Sequence, residues 1–389
     1  MRAERVALSA IFFLNGAVLA SWLPHIPAVK SRLGAGDARL GLALLGMAAG
    51  SVVALLLAGW LVGRLGSRLA TSVATVLFCL AMPLPLWSPS LTGLALTLAL
   101  LGACNGLLDV SMNAQAGALQ ERLGRPIMSS LHALFSVGGV AGALLAAGAI
   151  GAGVGAAGHV LGAALLALLA AALALPRLSP PAPAGDGTAP VLARPSRALL
   201  GLGLLAFLGL LAEGSMADWS AVYLHDTLGA GPSLAAVGFA AFSLAMAAGR
   251  FAGDALVSRF GPRAVLRASG AIAAGGLGAA LLVGRPAAAI LGCALVGLGI
   301  ANVVPIVFGA AARVPGVEPG RALAAVATIG YLGFLCGPPL IGAAGEAAGL
   351  GVGLALVSIA CALVAARAGA LPRERPQVTR GARGRMRRG

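Results

Sequence analysis

The stretch LPRLSPPAPAGDGTAPVLARPSR, residues 175–197, divides a chain of 389 residues into two long apolar halves. Proline, glycine and alanine dominate this stretch, and such a composition cannot form a packed core. The whole chain is 59% hydrophobic and only 10% charged, with a mean hydropathy of +0.96. Because soluble domains carry about 25% charged residues, the composition predicts an integral membrane protein in which this stretch is a flexible linker.

Apolar segments long enough to cross a bilayer lie on both sides of the linker. A helix needs about 20 such residues to span the hydrocarbon core. We identify six segments before the linker and six after it, and predict an all-α membrane protein whose twelve transmembrane helices form two six-helix bundles. The third segment is short and contains Pro83 and Pro85, so its outer end is the least defined. The predicted helices lie near residues 7–28, 38–62, 71–87, 91–119, 128–150, 157–175, 198–224, 234–257, 265–283, 287–312, 322–344 and 349–368. The predicted regions are bundles at 1–175 and 198–368, a linker at 176–197 and a basic tail at 369–389.

Basic residues in the connecting segments indicate which side of the membrane each loop occupies. Most of the 27 Lys and Arg residues fall on the side that holds both termini. The loops on the other side contain only Lys30, Arg32, Arg39 and Arg285. Because cytoplasmic loops are enriched in Lys and Arg, we predict that both termini are cytoplasmic. The net charge of +15 does not indicate a nucleic-acid partner, since these residues lie in short loops and the tail without interleaved aromatic residues.

The two halves resemble each other in sequence. SWLPHIPAVKSRLGAG at 21–36 is echoed by DWSAVYLHDTLGAG at 218–231, and Asn105 in LGACNG is echoed by Asn302 in LGIANV. Transporters built from repeated halves bind their substrate between the repeats and expose it alternately to the two sides. The repeat therefore predicts a secondary transporter.

Two related motifs follow the second and eighth predicted helices. They are GWLVGRLGSR at 59–68 and GRFAGDALVSRFGPR at 249–263. Together with the six-plus-six arrangement, they resemble the major facilitator superfamily, whose signature in this loop is G-x-L-x-D-R-x-G-R-R. Gly63 stands where that family has Asp, whereas the second motif is more complete. The resemblance implies the major facilitator fold and gating roles for Arg64, Arg68, Arg250, Asp254 and Arg259. The spacing of Arg250 and Asp254 also favours an ion pair within one helix.

Motifs in the fourth and fifth predicted helices indicate one branch of this family. NGLLDVSMNAQAGALQERLG at 105–124 and SSLHALFSVGGVAGALLA at 129–146 resemble the fucose permease branch of sugar–proton symporters and its uncharacterised bacterial inner-membrane relatives. This resemblance implies a multi-pass protein of the bacterial plasma membrane in which Asp109 takes up the coupling proton. A second acid expected in the first helix of that branch is absent, and Asn15 is the polar residue there.

Ionisable residues inside the apolar segments are the first candidates for function. Such a residue costs about 2.5–3.5 kcal/mol at membrane depth, so it is expected to have a role. Asp109 lies between Asn105 and Asn113 on one face of a helix, and we predict a proton-coupling role for it. Glu213 and His132 are further candidates for the same role. The alternatives are a carboxylate held by its neighbours and a neutral histidine that links two helices.

Other polar residues on several helices predict a polar substrate cavity. Each of them alone would also fit a hydrogen bond between helices, worth about 0.6 kcal/mol on average. Near the outer end of the seventh helix, Trp219 is expected to be an interfacial anchor and Asp218 an outer-gate or solvated residue. The predicted substrate-binding residues are Asn15, Asn105, Asn113, Gln115, Asn302, Thr328 and Tyr331.

The function that these features favour is proton-coupled symport of a small polar solute, such as a sugar, by alternating access. Drug/proton antiport is the second choice, and a permease that uses an external ATPase or a membrane sensor without transport are further alternatives. The sole lysine, Lys30, lies in no phosphate-binding loop, and no catalytic motif accompanies Asp109 or His132, so we expect no enzyme activity. The five cysteines lie in apolar segments without metal-ligand spacing, and we expect no metal and no cofactor. The expected partners are the solute, protons and the lipid bilayer, with the chain acting as a monomer.

Overall fold

The computed structural model describes residues 1–125, 127–179 and 196–371. Most of the predicted linker at 176–197 and of the predicted tail at 369–389 lies outside the described residues. Within the described part, twelve helices are long and apolar enough to cross a membrane, which confirms the predicted number. They are α1 Arg2–Arg32, α2 Asp37–Leu65, α3 Ser67–Trp87, α4 Leu91–Leu123, α5 Ser130–Gly151, α6 Ala156–Arg177, α7 Arg197–Thr227, α8 Pro232–Phe260, α9 Pro262–Val283, α10 Pro286–Ala311, α11 Arg321–Ala348 and α12 Leu350–Ala370.

Several of these helices are interrupted where the sequence contains proline or asparagine. The α-helical part of α3 ends at Ala81, and a short 3₁₀ turn, Leu84–Trp87, follows because proline has no N–H group to continue the helix. Helix α10 consists of Pro286–Ile300 and Val303–Ala311, with Asn302 at the break. Helix α11 instead runs through its two adjacent prolines without a break. The outer end of α3, which the sequence left undefined, is therefore set by its prolines.

Close packing inside each half depends on glycine. A side chain at Gly102 of α4 would overlap the carbonyl oxygen of Met47 in α2, and one at Gly16 of α1 would overlap the carbonyl of Phe135 in α5. Lipid tails are as apolar as leucine, so helices associate in a membrane through close backbone approach and not through the hydrophobic effect. The high glycine content thus brings α2 against α4 and α1 against α5.

The turns after α2 and α8 have the same backbone geometry. Gly66 has φ 78° and ψ 149°, and Gly261 has φ 77° and ψ 153°. These values lie in a region of backbone conformation that residues other than glycine rarely adopt. The two related motifs therefore form equivalent turns, as a repeated structure requires.

The two halves meet at the side of the molecule opposite to the termini. There the ammonium group of Lys30 lies 2.5 Å from Asp37 and 2.6 Å from Asp226, which joins the end of α1 to the ends of α2 and α7. We call these three residues the outer lock. Nearby, the hydroxyl of Ser233 in α8 donates a hydrogen bond of 2.9 Å to the carbonyl of Ala147 in α5. Contacts between the halves therefore close this side.

Trp219 is not exposed to the surroundings of the protein, so the expectation of an interfacial anchor is wrong. Its side chain is fully buried, as is that of its repeat partner Trp22. The indole packs against Gly342 of α11, where a Cβ atom would lie 3.1 Å from the ring. A glycine on α11, a helix of the same half, thus makes room for the Trp219 ring.

Candidate functional site

A cavity of about 210 Å³ lies between the two halves, lined by helices α1, α2, α4, α7 and α11. Three predicted site residues, Asn105, Asp109 and Tyr331, line it together. Asp218 also lines it, although the sequence placed that residue at an outer gate or in solvent. Most of the remaining wall is apolar and includes Leu19, Leu23, Leu44, Met47, Val52, Leu55 and Phe334. The cavity thus combines two carboxylates with a mainly apolar wall.

Asp109 is the first member of a hydrogen-bonded chain that leads away from the cavity. The side-chain amide of Asn113 donates to the Asp109 carboxylate at 3.1 Å and to its backbone carbonyl at 2.8 Å. The Asn113 side-chain oxygen lies 3.1 Å from Nε2 of His132, so this nitrogen carries the proton if the amide donates to Asp109. We call Asp109, Asn113 and His132 the acid–amide–histidine chain. It connects the cavity wall on α4 to α5.

His132 is also held by its surroundings on the other side. The ring of Phe12 in α1 meets the imidazole edge-on, with 5.3 Å between ring centroids. Ser136 follows one helical turn later and donates a hydrogen bond of 3.3 Å to the His132 carbonyl. The Phe12 contact holds the imidazole on the side away from Asn113, whereas the Ser136 bond lies on the His132 backbone.

Arg250 joins the two halves near the cavity. Its guanidinium group lies 3.4 Å from the carboxylate of Glu213 in α7 and donates a hydrogen bond of 3.2 Å to the hydroxyl of Ser136 in α5. The ion pair that the spacing favoured, with Asp254, is not the one observed, since the Arg250 side chain turns to Glu213 and Asp254 is exposed. Glu213 therefore has a basic partner, unlike the two acids in the cavity.

Asp218 lies on the cavity side of α7, five positions after Glu213. Among the residues that the structure describes, its carboxylate has no hydrogen bond and no ion pair. An acid inside an apolar segment was the signal that could have identified it, and the same criterion selected Glu213. The sequence could not place Asp218 at the cavity, because spacing along α7 does not show what each face of the helix meets.

Gln115 lies in a polar cluster at the end of the molecule that holds the termini. Its side chain accepts a hydrogen bond of 2.5 Å from Ser67 and donates one of 3.1 Å to Glu4. Glu4 is buried and forms an ion pair of 2.7 Å with Arg122. Glu4 was not identified from the sequence, because an acid so near the amino terminus is usually solvated. Gln115 therefore fills a position between helices and does not line the cavity.

Asn113, which contacts Asp109, and three more of the predicted substrate-binding residues also lie outside the cavity lining as the structure describes it. Asn15 is buried, and its amide lies 3.8 Å from the sulfur of Met112. Asn302 donates a hydrogen bond of 2.9 Å to the carbonyl of Gly249, where α10 is broken. Thr328 is exposed and donates a hydrogen bond to its own helix. These contacts fit links within or between helices.

Besides Arg250, the predicted gating arginines lie where α2 and α8 end on the side of the termini, with Arg64 and Arg259 in the last turns of these helices and Arg68 at the start of α3. Arg64 stacks over the ring of Trp60, and Arg259 over that of Phe260, each at 5.2 Å from the ring centroid. Within the described part of the chain, neither Arg64, Arg68 nor Arg259 forms an ion pair. Trp60 is 60% exposed, so this end of α2 has few neighbours.

Comparisons with known proteins agree with the architecture. The profile of the Major Facilitator Superfamily matches residues 8–317 and 215–387. An uncharacterized MFS-type transporter of Yersinia pestis is 38% identical over 95% of this chain and 96% of its own length. The membrane protein MosC of Rhizobium meliloti is 37% identical over 93% of this chain and 90% of its own length. A crystal structure of a mutant of the nucleoside transporter NupG superposes with a TM-score of 0.79 at 13% identity, covering 95% of this chain and 100% of that one.

Proposed function

The chain belongs to the major facilitator superfamily and is a membrane transporter, and on this premise we propose that it couples the movement of a small polar solute to a proton gradient. The bundles at 1–175 and 198–368 rock about the cavity and expose it alternately to the two sides of a bacterial plasma membrane. Both termini are cytoplasmic, and the chain works as a monomer. Transport, and not catalysis, is its activity.

The observation that carries this proposal is the position of Asp109 at the wall of the cavity, at one end of the acid–amide–histidine chain. A carboxylate enclosed between helices is costly while it is charged, and protonation removes that cost. The protonated and the unprotonated carrier therefore differ in the free energy of closing the cavity. A proton gradient can drive transport only through such a difference between states. Asp109 is the residue that takes up the coupling proton, and His132 passes the proton along.

The outer lock supports alternating access. With the termini in the cytoplasm, Lys30, Asp37 and Asp226 close the outer side of the carrier. Opening to the outside requires these ion pairs to break, and new contacts to form at the ends of α2 and α8 that carry Arg64 and Arg259. The described conformation is the one closed to the outside.

The direction of coupling that we favour is symport of a sugar-like solute. The motifs in α4 and α5 that resemble the fucose permease branch support it, as do the polar side chains of Asn105, Asp109 and Tyr331 in the cavity. Drug/proton antiport is the second candidate. The mainly apolar wall, with Met47 and Phe334, favours that candidate because lipophilic solutes need such contacts.

The first experiment measures proton movement when a solute is added to the purified protein in weak buffer. Sugars, other polar metabolites and lipophilic cations form the panel. We expect a solute-triggered pH change in the wild type that Asp109→Asn abolishes while binding persists. Glu121→Gln is the matched control, since it removes an exposed carboxylate from the same helix. An unchanged pH signal in Asp109→Asn would contradict the coupling role of Asp109.

A further inference from the structure

We propose that the transported solute carries a protonated amine and that Asp218 binds this amine. The inference rests on the proposed function, because it assigns a substrate class to the same cavity. It goes beyond that proposal by giving the two carboxylates of the cavity different roles. Asp109 takes the coupling proton, and Asp218 binds the cationic group of the solute.

The charge balance of the cavity is the first argument. Among the described residues that line it, two are acids and none is Lys, Arg or His. Arg250 and Lys30 are paired with other acids, since Arg250 contacts Glu213 and Lys30 contacts Asp37 and Asp226. Two carboxylates that face one cavity favour positive charges or protons there. The protein supplies neither, so a proton and a cationic solute complete the site.

Comparison with the other enclosed acids sets Asp218 apart. Glu4 pairs with Arg122 and Glu213 pairs with Arg250. Asp109 accepts a hydrogen bond from Asn113. Asp218 alone among these acids has no partner within the described part of the chain. Asp218 is half-buried at the cavity wall, and an acid at such a place without a partner in the protein is a candidate for binding a ligand.

A second polar atom of the cavity also has no partner. The side-chain oxygen of Asn105 is buried, and no donor of the described residues reaches it. Asn105 lies one helical turn before Asp109 on the cavity side of α4. Buried polar groups are normally hydrogen-bonded, so this oxygen has an unused capacity to accept a hydrogen bond. An ammonium group or a hydroxyl of the solute could donate to it only after the Asn105 side chain turns toward the cavity.

Aromatic rings lie on the same side of the cavity as Asp218. Tyr331 and Phe334 of α11 stack with 6.3 Å between their centroids. Phe334 lies against Gly214, where a Cβ atom would be 2.7 Å from the ring, and Gly214 is one helical turn before Asp218. A cation beside an aromatic face is attracted by the ring in addition to the carboxylate. The absence of a side chain at Gly214 thus brings an aromatic ring to the place where Asp218 would hold an amine.

The size of the cavity limits the solute to a small molecule. The volume of about 210 Å³ in this conformation suits a monosaccharide-sized or single-ring amine better than a large lipophilic drug. Its mainly apolar wall tolerates a solute whose carbon skeleton carries few hydroxyl groups. The class of solute is therefore a small monoamine.

The test compares amines with neutral molecules of nearly the same shape. Glucosamine is paired with glucose, and benzylamine with benzyl alcohol, at a pH where the amines are protonated. Binding to the detergent-purified full chain is followed by the shift in Tm, recorded by tryptophan fluorescence. We expect an amine to bind more tightly than its neutral partner. Asp218→Asn should weaken amine binding by about 10- to 100-fold, the usual value of a hydrogen bond between charged groups.

Two further variants make the result specific. Asp218→Glu keeps the charge and should retain the preference for the amine, whereas Glu121→Gln should bind as the wild type does. The proposal is overturned if no amine shifts Tm, if the neutral partners bind equally well, or if Asp218→Asn binds amines like the wild type.

Failure of this inference is distinguishable from failure of the proposed function. Neutral molecules that bind equally well and still release protons through Asp109 would remove the amine assignment and leave proton coupling in place. Amine binding that depends on Asp218, together with a proton signal that survives Asp109→Asn, would keep the amine assignment and remove the coupling role of Asp109.

Discussion

At the residue scale, His132 has two roles that the structure allows. Its hydrogen bond to Asn113 places it in line with Asp109, which suits a proton carrier. The same bond, together with the contact to Phe12, would also suit a neutral histidine that merely holds α4, α5 and α1 together. The two roles predict different results for a replacement that forms hydrogen bonds but cannot carry a proton. Such a replacement would suffice for a structural histidine but not for a proton carrier.

We expect His132→Gln and His132→Ala to slow proton-coupled uptake about tenfold or more, because neither side chain transfers protons at neutral pH. Glutamine keeps a donor for Asn113, so this variant should unfold at nearly the wild-type temperature. Uptake into proteoliposomes with an imposed pH gradient measures the rate. Wild-type uptake by His132→Gln, with only His132→Ala impaired, would show that the histidine has a structural role alone.

At the element scale, pairs of helices are held at distances that only glycine permits. In α4, Gly102 contacts the backbone of α2 at Met47, whereas Gly117 of the same helix has no neighbouring atom within 4 Å of where a Cβ would lie. Both glycines lie in the same helix, so they share a helical backbone conformation but have different surroundings. Comparing them separates helix propensity from packing.

We expect Gly102→Ala to lower the stability by about 1–3 kcal/mol, because the added methyl group overlaps the Met47 carbonyl and forces the helices apart. Gly117→Ala should leave stability unchanged or raise it by up to about 1 kcal/mol, since alanine favours a helix over glycine. Thermal unfolding of the detergent-purified variants measures both. Equal effects at the two positions would show that the α2–α4 contact is not as close as described.

At the scale of the whole molecule, the outer lock is a contact between the two halves that depends on one residue. Lys30 is the sole lysine of the chain and contacts acids on both α2 and α7. Each of these ion pairs is partly exposed and is worth roughly 0.2–1 kcal/mol. That energy is small compared with the free energy of folding. It is large enough to shift an equilibrium between two conformations of similar energy.

We expect Lys30→Gln to shift the population toward the outward-open conformation roughly two- to fivefold, as the loss of about 0.5–1 kcal/mol implies. Spin labels at Arg39 and Arg285, which are exposed and belong to different halves, report the separation of the outer ends in a cysteine-free background. Exchanging the charges by Lys30→Asp with Asp226→Lys should restore the closed distances. Distances that do not change in Lys30→Gln would mean that apolar contacts alone close the outer side.

The sequence by itself determined the number and approximate position of the twelve helices. The thickness of the hydrocarbon core imposes a length on each apolar segment, and that length is visible without knowledge of tertiary contacts. The family was also evident from the paired motifs at 59–68 and 249–263. Asp109, Asn105 and Tyr331 were identified because polar residues are rare in so apolar a chain.

The tertiary structure decided which polar residues share a space. Gln115 and Asn302 lie on helices that also reach the membrane centre, yet their side chains contact neighbouring helices. Asp218 lines the cavity, and Arg250 contacts Glu213 in place of Asp254. The rotation and depth of each helix fix these contacts, and both depend on close glycine contacts between helices that are distant in sequence. Spacing along one helix cannot reveal them, because it says which residues share a face but not what that face meets.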